Sequence, residues 1–251
     1  MEAFDASFHD GARDVVLSND PATKYLREIR VREALTRLIA LRGEDADLRS
    51  LLVVCGGEGQ EASIAADMGF DPVVTSDISA RSVSAAEGRD ARLRAIQANA
   101  EATGLDDDSF DVVLVQDGLH HLQEPVRGFC EMLRIARSAV VMIEPRISLA
   151  SRLLGIEWEE QGEGAVNYVF RWRLGLVHDV ASSYLGRDGF EDHSYAFWHH
   201  NPVLTKLAHR LGSGEAAARR IARLRSTSSR LLGRFGNQMC GLILLEERPA
   251  D

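Results

Sequence analysis

Several side chains in this sequence have the type and spacing to do chemistry. His120 and His121 stand together, with Leu122 following. Imidazole titrates near neutral pH and can take a proton from an acceptor, so His121, with His120 beside it, is the candidate general base. Packing or capping of the following helix is the plainer duty for the same pair. His199 and His200 form a second pair before Asn201-Pro202, at an edge where loops often face an acceptor. Glu144 precedes Pro145 at the end of an apolar run, where it is a candidate substrate contact or a cap for a helix over 147–155. Asp77 closes VVTSD, and a carboxylate there can accept hydrogen bonds from both hydroxyls of a ribose. Its alternative is capping of the helix that begins in SARSVSAA. The two histidine pairs with Asp117 and Glu144 could be read as a metal site. No i, i+4 histidine pair supports that, and no metal is expected.

These residues need a scaffold, and LLVVCGGEGQEA (51–62) supplies its first unit. Val53 and Val54 end a buried strand, Gly56, Gly57 and Gly59 make a tight turn, and a helix starts at Gln60. Glycine lets a backbone approach a ligand closely, because it has no Cβ and tolerates unusual φ. Gly57 to Ala62 also fits the dinucleotide fingerprint, so spacing alone leaves the ligand open. Strands are expected near 51–55, 72–76, 93–97, 111–116, 138–143, 190–198 and 238–246. Helices are expected at 20–43 (Asp20 as N-cap, Gly43 as stop), 59–68, 79–88 and 122–136, with two more stretches within 203–233. Runs such as VVTS, VVLV and AVVMI are apolar without alternation, as in strands covered by helices on both faces.

Charge then weighs on the ligand. A dinucleotide lays its pyrophosphate on the first helix N-terminus, but Glu58 sits in this loop and Glu61 in the first helical turn. Neither suits two phosphate charges. S-adenosylmethionine has no phosphate and carries a sulfonium and an ammonium.

LLVVCGGEG, VVTSDIS, AIQANAEATGLDDDSFDVVLVQDGLHHL and AVVMIEP together resemble the successive motifs of class I S-adenosylmethionine-dependent methyltransferases, over about residues 50–145. The resemblance implies a doubly wound α/β fold: a mostly parallel seven-stranded sheet with an antiparallel last strand, a helical N-terminal segment and a helical insertion after strand 5. It implies S-adenosyl-L-methionine as cofactor. Gly56, Gly57 and Gly59 would line its methionine and ribose, Asp77 would hold the ribose hydroxyls, and Ile78 would lie against the adenine. Asn99 and Ala100 match the family's adenine-reading positions, where aspartate then alanine is common. Gln116 would face the methionine end or the ring, and Asp117 and Gly118 would begin the acceptor side. Cys55 departs from the pattern, standing where the family has its first glycine; it must adopt a conformation glycine normally takes, or the loop starts one residue later.

The implied organisation is a helical lid segment at 1–45, a cofactor-binding core at 46–146, an acceptor lid at 147–188, and strands and helices completing the domain at 189–251. Tyr25, Trp158, Tyr168 and Trp172 lie in the two lid segments and suit stacking on an acceptor, Trp158 and Tyr168 foremost, with core packing the alternative. The expected activity is methylation of an O or N atom of a small metabolite, such as a sugar or natural product. The rivals are an NAD-dependent oxidoreductase and a non-catalytic methyltransferase-like binding protein.

Composition bounds the partners. A 45% hydrophobic, 27% charged chain of 251 residues is an ordinary globular one, and its −9 charge argues against general nucleic-acid binding. No run approaches the ~20 apolar residues of a membrane span. Cys55, Cys130 and Cys240 are few and scattered, which with the absence of a leader pattern leads to a cytoplasmic expectation. Between Lys206 and Arg234 eight cations face Glu215 alone, +7 net, leaving −16 elsewhere. That stretch is the solvated face of a helix or an attraction for an anionic small-molecule acceptor. Oligomeric state has no signal.

Overall fold

The computed structural model describes residues 21–43, 48–148, 158–161, 165–168, 170–186, 188–199, 201–212, 214–232 and 236–246. Helix α1 (Pro21–Arg42) comes first, then β1 (Leu51–Val53), α2 (Gln60–Asp67), β2 (Val73–Asp77), α3 (Ala80–Arg89), β3 (Leu93–Gln97) and β4 (Phe110–Gln116). A 3-10 turn at Leu119–His121 leads to α4 (Pro125–Ile135) and β5 (Ala136–Pro145). Then follow β6 (Trp158–Gln161), β7 (Ala165–Tyr168), α5 (Leu174–Leu185), β8 (Phe190–Asp192), β9 (Tyr195–Phe197), α6 (Asn201–Arg210), α7 (Glu215–Leu232) and β10 (Gln238–Leu245).

The main sheet runs β3-β2-β1-β4-β5-β10-β8, with β9 also on β10. Its first five strands are parallel, and β10 is antiparallel to β5. β8 and β9 lie on one line of register against β10, Asp192 opposite Ile243 and Tyr195 opposite Cys240. Between them Ser194 Oγ accepts the Leu242 N–H (3.1 Å) in place of a backbone carbonyl. Taken as one interrupted strand they complete the seven-stranded sheet. Strand order reverses between β1 and β4, so the crevice beyond their carboxyl ends is where ligands bind in such a sheet.

Alternation along β4 divides the core. Val113 and Val115 face a layer built with Phe129, Met132 and Leu133 of α4 and Val177 and Ala181 of α5. Val112 and Leu114 face Val31, Ala34, Leu35 and Leu38 of α1 and Ala62, Ile64 and Ala65 of α2. Burying each such Leu, Ile or Val side chain contributes about 1.5–3 kcal/mol. A third cluster joins Ala22 and Leu26 of α1 to Leu204, Ala208, Ala218 and Ile221 of α6 and α7. Helix α1 stops at Gly43, whose φ of +89° suits a left-handed cap and whose N–H donates to Ile39 O at 3.0 Å.

The segment after β5 corrects one expectation. It is helical over α5, but β6 and β7 form an antiparallel hairpin, with Trp158 opposite Tyr168. The aromatic and β-branched residues there stand in two short runs rather than at helical spacing. Asp20, read as the N-cap of α1, lies outside the described residues.

Candidate active site

The β1 loop holds three unusual positions, at alternate residues. Cys55 has φ +52°, Gly57 +50° and Gly59 +78°, so Cys55 does take a conformation that glycine favours. Gly56 is required by closeness instead: its N–H donates to Ser76 O at 2.8 Å, and a Cβ would meet Thr75 Oγ1 at 2.1 Å. Gly57 has open space where a Cβ would be. Asp77, ending β2, ties this loop down: Oδ2 accepts Gly57 N–H and Oδ1 accepts Ser79 N–H, both at 2.9 Å. Ser79, not Asp77, is the N-cap of α3, its hydroxyl accepting Ser82 N–H. Ile78 is 51% exposed beside Asp77, an apolar surface at the crevice. Asn99 is exposed and its Oδ1 accepts Glu101 N–H at 2.9 Å, while Ala100 is buried in the core.

The two loop glutamates have different surroundings. Glu58 meets Arg89 at 3.2 Å on the surface. Glu61 turns inward and accepts Gln116 Nε2 at 3.0 Å. Burial pushes the Glu61 carboxyl above its usual range, opposed by Arg27 and Arg30. Arg27 itself donates to Gln60 Oε1 at 2.7 Å, joining α1 to α2. A second carboxylate, Asp117 (φ +51°), pairs with Arg30 at 2.6 Å. Burial alone would raise the Asp117 carboxyl, but Arg30, with His120 and His199, holds it below the usual carboxylate range. Arg30 is only 7% exposed and also reaches Gln238 Oε1 at 3.4 Å. Its Nε and the Oε1 of Gln116 are buried polar atoms without a hydrogen-bond partner, the kind of gap a bound ligand fills.

Beyond Asp117 the chain turns through Gly118, where a Cβ would stand 2.6 Å from the Cβ of Cys55. The His120 and His121 rings lie against each other with centroids 3.9 Å apart, tilted by 42°. Burial, then the charge of His120, pushes His121 down to about 4. Glu144 is 0% exposed; it accepts Gly118 N–H (2.9 Å) and Leu119 N–H (2.8 Å) and lies 2.7 Å from His120 Nδ1. The expected substrate contact at Glu144 is therefore corrected to a buried anchor, because three protein groups occupy its carboxylate. His199 is buried, and Asn237 brackets its backbone, accepting its N–H and donating to its carbonyl, each at 2.9 Å.

Gly56, Gly57, Asp77, Gln116, Asp117, His120, His121 and Glu144 thus gather on the β1, β2, β4 and β5 ends. Trp172 is fully buried between Phe129 and Phe170, so it is core. His200 lies outside the described residues, as do the side chains of Trp158 and Tyr168. Arg30 was missed by the sequence reading. Its signal was position, four residues from Leu26 and from Ala34 on the buried stripe of α1.

Residues 51–143 match the family described as Methyltransferase domain. This stretch, with the fold around it, is similar to class I S-adenosylmethionine-dependent methyltransferases. Demethylmenaquinone methyltransferase of Beutenbergia cavernae is 32% identical over 130 residues, which are 52% of this chain and 52% of that protein. The chain thus spans about half the length of this curated relative. A putative sarcosine dimethylglycine methyltransferase from Galdieria sulphuraria superposes with a TM-score of 0.58 at 17% identity, over 86% of this chain and 85% of the other. Phosphoethanolamine N-methyltransferase 2 of Haemonchus contortus, solved with S-adenosyl-L-methionine, gives 0.56 at 13%, over 88% and 53%. At such identities these structures speak for the fold of the methyltransferase domain. Among the described residues no helix is long and apolar enough to cross a membrane.

Proposed function

We propose that the protein transfers a methyl group from S-adenosylmethionine to an oxygen or nitrogen of a small metabolite, a sugar or natural product. The observation that carries this reading is the Asp77 clamp on Gly57 at the switch point of the sheet, within a methyltransferase domain. Each Asp77 oxygen accepts one backbone N–H, which leaves lone pairs for two ribose hydroxyls. Ile78 offers the adenine an apolar face, with Asn99 and Ala100 at its edge. Gln116 Oε1, a buried acceptor without a partner, suits the cofactor's ammonium, and Arg30 Nε suits its carboxylate. Gly57 keeps the backbone open beside them, while Gly59 packs against Ala86 and Leu93.

When bound, the cofactor supplies a methyl carbon already activated by a sulfonium. The protein then has to align an acceptor, exclude water and take up a proton. The His120–His121 pair is assigned to the proton, with His199 and Asp117 on the acceptor side. Helix α1 and the segment from β6 to α5 are assigned as covers. An anionic acceptor is favoured by exposed Lys206, Arg210, Arg220 and Arg223; Arg219 is partnered by Glu215, and Arg225 is buried against Glu33.

Calorimetry with S-adenosylhomocysteine and with NAD tests the cofactor, and binding of NAD alone would overturn the reading. Turnover of labelled cofactor with a mixed acceptor library tests the activity. A protein that binds cofactor yet labels nothing under these conditions would favour the non-catalytic rival. If the basic face steers an anion, apparent acceptor affinity should fall with salt, since exposed charges are screened beyond about 8–10 Å.

A further inference from the structure

Glu144 stands at the end of β5, out of solvent, yet no catalytic duty has been given to it. Its two oxygens do different things. Oε1 receives the N–H groups of Gly118 and Leu119, which open the turn carrying both histidines. Oε2 lies 2.7 Å from His120 Nδ1. With Oε1 taken by two backbone donors, the remaining hydrogen bond is made by a proton on Nδ1. A neutral imidazole that donates from Nδ1 keeps its lone pair on Nε2. One carboxylate therefore sets both the position of the turn and the tautomer of its first histidine.

We propose that His120, not His121, accepts the proton in methyl transfer, and that Glu144 is its positioning residue. This rests on the methyl-transfer reading above. In the step, the acceptor's O–H or N–H bond breaks and its proton goes to His120 Nε2. The electron pair left on the acceptor forms the bond to the methyl carbon. The C–S bond breaks, and its pair returns to sulfur as a neutral thioether.

The neighbours divide the labour in the same way. Burial, the largest cause, pushes His121 down to about 4, so near neutral pH it is a poor proton acceptor. Asp117, at the end of β4, faces His120 with its charge retained by Arg30 of α1, and His199 acts on the same carboxylate. Cys55 of the first loop feels the Glu144 charge, but burial pushes its thiol far up and keeps it neutral. Glu144 Oε2 stands within hydrogen-bond distance of the His120 ring, at 2.7 Å from Nδ1.

Imidazole nitrogen NMR on the full chain tests the tautomer without any variant: neutral His120 should carry its proton on Nδ1. Glu144→Gln then separates placement from charge. Its amide oxygen can still accept Gly118 and Leu119 N–H, while its NH2 must donate to Nδ1 and move the ring proton to Nε2. Turnover should fall about 10²–10⁴-fold, as when the carboxylate behind a catalytic histidine becomes an amide. S-adenosylhomocysteine affinity should stay within about threefold, because the lost interaction is made in the transition state. Any residual acid limb of the pH–rate profile should move to lower pH, since a cation-stabilising charge is gone. A wild-type His120 protonated on Nε2, or Glu144→Gln turnover and pH profile unchanged, overturns the dyad while leaving methyl transfer in place. Failure of the wild-type protein to bind S-adenosylhomocysteine overturns the methyl-transfer reading, and this one with it.

Discussion

Asp77 ends β2 and Glu144 stands one residue before the end of β5, and each carboxylate ties a loop to its strand through two backbone N–H groups. Their surroundings are opposite. Asp77 is half-buried at the mouth of the crevice, with one protein donor on each oxygen. Glu144 is sealed under the turn it holds, with two donors on one oxygen and a histidine on the other. The same chemical group therefore has spare acceptor capacity at one strand end and none within reach of a ligand at the other. Loss of Asp77 should register in binding, and loss of Glu144 in stability and turnover.

The largest expected effect comes from emptying the sealed site. Glu144→Ala leaves two backbone N–H groups and His120 without their acceptor in a dry interior. Each buried donor left unsatisfied costs about 1–3 kcal/mol, and denaturant unfolding would measure the sum. A loss below about 1 kcal/mol would mean water replaces the carboxylate, making this end no drier than the other.

Next comes acid sensitivity on the Glu144 side. His121 titrates at about 4 in the folded protein, below the ordinary 6.5 of histidine, because burial disfavours its cation. Protons therefore bind more readily to the unfolded chain between these values. The stabilising contribution is complete above pH 6.5 and is lost as pH falls toward 4. With allowance for partial exposure the loss is about 2–3 kcal/mol. Melting curves of wild type against His121→Gln should diverge across this window, the variant lacking the slope. Parallel curves would show that His121 is well hydrated.

The cofactor side was more legible in the sequence than the acceptor side, for physical reasons. Strands such as VVLV are buried on both faces, and their burial is written in consecutive apolar residues. The glycine loop is equally plain, since a Cβ at Gly56 would stand 2.1 Å from Thr75 Oγ1. Arg30 and Glu144 were obscure because a charged residue reads as exposed until its partners are known. The partner of Arg30 is 87 positions away in sequence, Asp117. Helical periodicity did mark Arg30 as inward, whereas nothing local to Glu144 announces hydrogen bonds to residues 118–120. The β6–β7 hairpin was hidden because WEEQ and AVNY are short, mixed runs without clear alternation.

Asp77→Ala sharpens the comparison from the open end. It should weaken S-adenosylhomocysteine binding by about 1–3 kcal/mol in calorimetry, the scale of hydrogen bonds to a charged group. Unfolding stability should change less than in Glu144→Ala, because water can reach Gly57 N–H. Equal losses of stability in the two variants would erase the distinction between the ends.

The smallest effect concerns Cys55, which lies between the two ends: its thiol feels the charges of both Asp77 and Glu144 after the dominant effect of burial. At φ +52° a Cβ is unfavourable by about 1–2 kcal/mol relative to glycine. Glycine would relieve that strain but would add about 0.5–1 kcal/mol of chain entropy in the unfolded state. It would also give up the contact between Cys55 and the turn at Gly118, where no Cβ fits. Cys55→Gly should therefore stabilise the protein only slightly, by about 0.5 kcal/mol, in denaturant unfolding. A clear destabilisation would mean that the Cys55 side chain is a needed wedge between the β1 loop and the β4 turn. In that case Cys55→Gly should also alter the Glu144–His120 geometry, visible as a shifted His120 imidazole signal. A slight gain with that signal unmoved would show that the cofactor loop and the histidine turn are held independently, each by its own carboxylate.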